Sequence, residues 1–136
     1  MPAQRAESAT RPLRARARDV FAALIDAAVM PGPPLPALTP DGAPAFLDRL
    51  LDRSPRPNAA GLVAALLVLD ALPRATGHRR FRRLDAAARR ALLDRIEPFP
   101  VTQALRGLAQ LAYYGEDEAA RVLGYDADAV LRRARA

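Results

Sequence analysis

The sequence predicts an all-α protein: a single-domain, orthogonal or irregular bundle of five to seven helices around a central apolar helix at about residues 59–72. Three observations carry this. Apolar residues recur at helical spacing along most of the chain. No stretch alternates apolar and polar for long, and β-branched residues are sparse, which leaves little to build a sheet from. Prolines and glycines fall between the periodic segments and divide them.

Residues 1–10 read as a disordered N-terminus and residues 11–136 as one helical domain. The first helix is expected at about residues 12–30, with Leu13, Ala17, Val20, Phe21, Leu24 and Ala28 on one stripe and Arg14, Arg18 and Asp26 off it. Pro31-Gly32-Pro33-Pro34 ends it, because proline lacks a donor and clashes within a helix. Residues 31–40 then form an extended connector. A short helix at about 43–53 offers Phe46, Leu47, Leu50 and Leu51, and Ser54-Pro55-Arg56-Pro57 breaks it. Asn58 is the expected N-cap of the third helix, residues 59–72. That helix is apolar almost all round, so it is placed at the centre of the bundle. Its apolar run, 59–69, is too short to span a bilayer and suits a buried core helix.

Asp85 is expected to cap a fourth helix at about 86–96. Glu97-Pro98-Phe99-Pro100 separates it from a fifth at 101–114, with Val101, Leu105, Leu108 and Ala112 on one face and Gln103, Arg106 and Gln110 on the other. A sixth, 116–123, has acids in its first turn, Gly124 follows as its left-handed cap, and a last helix at 127–135 ends in arginines.

With 136 residues the chain is long enough for one domain that buries roughly two thirds of its unfolded surface. Hydrophobic residues make up 51%, which excludes compositional disorder. There is no Cys, so disulfide scaffolds, thiolate metal sites and Cys nucleophiles are excluded. The net charge of +6 comes from arginine alone, since Lys is absent. Abundant Ala, Arg, Pro and Gly together point to codon bias, which weakens the charge as a sign of a nucleic-acid partner. No apolar region follows the N-terminal arginines, so a cytoplasmic chain without membrane insertion is expected, periplasmic only if exported with a partner.

No catalytic set is identifiable. His78, the single imidazole, lies in Gly77-His78-Arg79-Arg80-Phe81-Arg82-Arg83-Leu84, and Ser8 and Ser54 are far from it in sequence. The carboxylates, such as Asp48 and Asp52 or Asp126 and Asp128, read as caps or solvated groups. One His and no Asp-x-Asp-x-Asp loop leave no metal site, and the scattered glycines make no phosphate-binding turn. No catalytic, cofactor-binding or metal residue is therefore expected, and the chain is read as not an enzyme. Residues 116–135 are spaced like a helix-turn-helix, which makes a DNA-binding or regulatory module the alternative reading. Asp126 and Asp128 oppose it, because they stand where that motif meets phosphates.

At Leu108–Asp126, LAQLAYYGEDEAARVLGYD, the sequence resembles the closing segment of the gluconate 2-dehydrogenase subunit 3 family. There Tyr-Tyr-Gly ends one helix and a short acidic-start helix leads to Leu-Gly-Tyr. Arg79 to Asp85 with Ala87-Ala88-Arg89 is similar to the family's aromatic, Leu, Asp, then helix element, and Ala22 to Pro31 is similar to its opening helix. The resemblance covers about residues 21–126. It implies a helical, non-catalytic accessory subunit or chaperone of a flavin-dependent dehydrogenase of the glucose-methanol-choline class. It also implies that FAD is held by that large subunit and no cofactor by this chain.

Six residues are candidates for contact with that partner: Arg79, Arg80, Phe81, Tyr113, Tyr114 and Tyr125. Tyr113, Tyr114 and Tyr125 are all the tyrosines in the protein, and Tyr joins a rigid apolar body to a polar tip. Arg79, Arg80 and Phe81 join charged forks to an aromatic anchor. Packing of the tyrosines inside the bundle is the competing reading.

Overall fold

The computed structural model describes residues 2–30, 42–115 and 132. Among them it contains five α-helices and no strand: α1 Pro2–Val29, α2 Ala45–Arg53, α3 Arg56–Ala71, α4 Ala86–Ile96 and α5 Pro100–Tyr114. Two 3-10 turns, Leu72–Thr76 and Phe81–Arg83, join α3 to α4. The protein is an all-α helical bundle. The connector at 31–40, the sixth helix, the last helix apart from Arg132, Gly124 and Tyr125 lie outside the described residues.

The centre of the bundle is α1, not α3. Val20, Phe21, Leu24 and Ile25 have no exposed surface, and Ala17, Ala23, Ala27 and Val29 are buried with them. Every other α-helix and the Phe81–Arg83 turn touch α1. Around it pack Leu47 and Leu51 of α2, Leu66 and Leu69 of α3, Leu93 of α4, and Leu105, Ala109, Ala112 and Tyr113 of α5. The helix expected at the centre buries only Leu66, Leu69 and Asp70. The physical reason is side-chain size. The outer face of α3 is mostly Ala and Gly, which have little apolar area to hide, whereas Val20 to Ile25 of α1 have much more.

Three element boundaries differ from the sequence expectation. α1 starts at Pro2 and carries Pro12 inside it, so residues 2–10, expected as a disordered N-terminus, are helical. Pro12 leaves one backbone bond unmade without ending the helix. Leu13, expected on the buried stripe, is exposed. α3 starts at Arg56 with Pro57 in its first turn, a position where the missing N–H is not needed. Asn58 is therefore inside the helix and exposed, and no side chain caps that end. α3 also runs on through the first 3-10 turn. Arg56–Thr76 is 21 residues long with a mean hydropathy of 1.5, enough by length and composition to cross a membrane, and only 22% of its apolar window is buried.

The buried face of α5 is rotated from the one expected. Thr102, Leu105, Ala109, Ala112 and Tyr113 are buried, Leu108 is half-buried, and Val101 is exposed. Both faces of this helix carry apolar residues at helical spacing, so periodicity alone does not choose between them.

The start of α4 is where the sequence places it. Asp85, in extended backbone, accepts a 2.8 Å hydrogen bond from the Ala88 N–H. Asp85→Ala is expected to lower stability by about 1 kcal/mol and Asp85→Ser to retain most of it, measured by chemical denaturation.

α2 is held to α1 by charge as well as packing. Arg14 donates to Asp52 Oδ1 at 2.7 Å, to the Asp48 carbonyl at 2.8 Å and to Asp48 Oδ1 at 3.4 Å, and Arg18 pairs with Asp48 at 3.1 Å. Asp48 and Asp52 are thus bonded groups, not merely solvated ones. The hydrogen bond that Arg14 donates to Asp52, with the negative charges of Asp52 and Asp48, raises the guanidinium above its ordinary value and keeps it cationic.

Candidate functional site

The chain between α3 and α4 is fastened by a network of charges. Asp70, one position from the C-terminal end of α3, has no exposed surface. Its Oδ1 accepts the backbone N–H of Arg82 at 3.2 Å, and its Oδ2 faces Arg80 Nη1 at 3.5 Å and Arg82 Nε at 3.6 Å. Arg82 Nε is buried without a hydrogen bond, so its attraction to Asp70 is Coulombic. Arg82 also reaches Asp19 of α1 at 3.8 Å. Arg89 of α4 donates to the Phe81 carbonyl at 3.2 Å, the Arg82 carbonyl at 2.7 Å and Asp26 of α1 at 3.4 Å. The Phe81–Arg83 turn therefore takes its position from α1, α3 and α4 together.

An open depression of about 410 Å³ lies on this network, lined by Asp19, Ala22, Ala23, Asp26, Arg82, Arg83 and Arg89. Arg82 and Arg89 are committed to carboxylates and backbone carbonyls, which makes the depression a structural junction with Arg83 at its rim. Among the described residues no group of three His, Asp or Glu is placed to hold a metal ion. His78 is exposed on the turn that follows Gly77, whose φ of 79° and ψ of 10° close the first 3-10 turn in a left-handed conformation. Ser54 Oγ donates to the Leu50 carbonyl at 2.7 Å at the end of α2.

The six residues expected at a partner contact are divided by the fold. Phe81 is fully buried and Tyr113 nearly so, which makes both of them core rather than contact surface. Arg80 turns to Asp70. Arg79 is exposed and has no ion pair among the described residues. Tyr114 is exposed and meets Tyr113 edge to face, with ring centroids 5.3 Å apart. Tyr125 is outside the described residues.

The exposed apolar surface was missed in the sequence. On α5, Val101 is 59% exposed and Leu111 61%, and Ala104, Gly107 and Tyr114 continue their line along one helix face. Phe99 stands exposed at the N-terminal end of the same helix. A Cβ added at Gly107 meets nothing within 4 Å, so the middle of this face is open. On α3, Val68 is 63% exposed, with Leu72 also outward. The only signal in the sequence was that both helices are apolar on more than one side. No protein-family model, no curated protein and no solved structure matches this chain.

Proposed function

We propose that this chain is a non-catalytic accessory subunit or chaperone of an FAD-dependent dehydrogenase of the glucose-methanol-choline type, acting by protein–protein contact. The observation that carries the proposal is the exposed apolar face of α5, on a helix whose opposite face is already packed on α1. A face of Val101, Ala104, Leu111 and Tyr114 is suited to a partner that removes it from water. The resemblance to gluconate 2-dehydrogenase subunit 3 supplies the partner's class. The local structure at the residues that carry it supports the reading: Tyr113-Tyr114-Gly115 closes α5, Asp85 opens α4, and α1 ends before Pro31.

A subunit of this kind stabilises its partner by binding only the folded form, worth about 2.7 kcal/mol at a hundredfold excess over Kd. The test is co-expression with a flavin-dependent dehydrogenase of the glucose-methanol-choline class from the same genome. The pair is expected to co-purify with FAD bound. Val101→Glu with Leu111→Glu is expected to weaken the complex about tenfold or more and leave the helical circular dichroism unchanged, because both side chains are already in water. If the flavoprotein folds, loads FAD and turns over equally well without this chain, the proposal fails.

A further inference from the structure

We infer that the outer face of α3 is a peripheral docking surface for an anionic lipid bilayer. Ala60, Gly61, Ala64, Val68, Ala71 and Leu72 form one exposed face at a helical spacing of three and four residues. No charged side chain interrupts it. The sole acid between Arg56 and Thr76 is Asp70, which is buried on the opposite side. At one end stand Arg53 and Arg56, and at the other Arg74 and Arg79. All four are exposed and without an ion pair among the described residues.

An apolar helix face with arginines at both ends fits a bilayer interface. Val68 and Leu72 enter the boundary of headgroups and acyl chains, while the guanidinium groups reach anionic phosphates. Other occupants fit less well. A second copy laid on α3 brings arginine against arginine, whether the two helices run parallel or antiparallel. A protein partner is commonly anchored by aromatic side chains, and this face has none. The helix lies on the bilayer and does not cross it, because Leu66, Leu69 and Asp70 hold its other side to the bundle and Asp70 is paired with Arg80 and Arg82. This surface is separate from the α5 face and does not depend on the flavoprotein reading.

The test uses the full chain and vesicles of phosphatidylcholine with phosphatidylglycerol, against vesicles of phosphatidylcholine alone, read by flotation. Binding is expected only with phosphatidylglycerol present and is expected to fall as salt rises. Arg74→Glu with Arg79→Glu, and separately Val68→Glu, are each expected to weaken it about tenfold, with circular dichroism unchanged. Equal binding to both vesicle types, or binding by Val68→Glu equal to that of the parent chain, overturns the inference. So does self-association that Val68→Glu abolishes in a chain that does not float with vesicles.

Discussion

Phe21→Ala is expected to cost about 3–5 kcal/mol, among the largest losses from a single apolar substitution in the described residues. Phe21 has no exposed surface and belongs to α1, the helix that meets every other α-helix among the described residues. Its truncation opens a void where several helices converge, so no one of them can close it by shifting alone. Against a total stability of about 5–15 kcal/mol for a domain of this kind, that loss removes a large share. Phe21→Leu, at about 1–2 kcal/mol, keeps the measurement possible if the alanine variant is mostly unfolded. The informative comparison is Val68→Ala on α3, expected within about 0.5 kcal/mol because Val68 is mostly in water. Denaturant titration of the two variants measures which helix is the centre. Equal losses would show that α3 is covered and that α1 is not the axis of the bundle.

Arg82→Ala is expected to cost about 3 kcal/mol, through charge and not volume. Asp70 is fully buried, and Arg82 is one of two cations facing it. Removing Arg82 leaves a buried carboxylate with Arg80 at 3.5 Å and a single backbone N–H at 3.2 Å. Asp70→Asn with Arg82→Met is expected to cost less than the sum of the two single changes, since neither charge is then left facing an empty place. At about 4 °C per kcal/mol, Arg82→Ala lowers Tm by on the order of 10 °C. A fall of less than about 2 °C would mean that the Phe81–Arg83 turn is held by packing of Phe81 alone. Arg83→Ala, at the rim of the depression, serves as the matched control and is expected to be nearly neutral.

Helix class, helix number in the described region and several boundaries were legible in the sequence, because they depend on local signals. Asp85 marked the start of α4 through a short-range hydrogen bond to Ala88, and Gly115 marked the end of α5. Asn58 misled for the same reason: its side chain can cap, but Pro57 two positions after Pro55 is equally suited to a first helical turn. The apolar stripe of α1 was legible, with Asp26 off it, but α3 was placed at the centre because it is apolar almost all round. Asp26 is accommodated because Arg89 meets it from α4, a pairing across 63 positions that no window of sequence contains. Of the residues singled out for contact, Phe81 and Tyr113 went into the core, because an aromatic ring is as well suited to one environment as to the other.

Helical character, the position of most helix breaks and the all-round apolarity of α3 are written in the residues themselves. Those properties follow from backbone propensity and side-chain type at near positions. It took the packed fold to make α1 the axis, to leave one face each of α3 and α5 exposed, and to bury Asp70 among arginines from the following turn. Each of these outcomes is a competition between distant segments for the same space around α1. Large side chains win that space, and small ones on α3 are left outside because exposing them costs little.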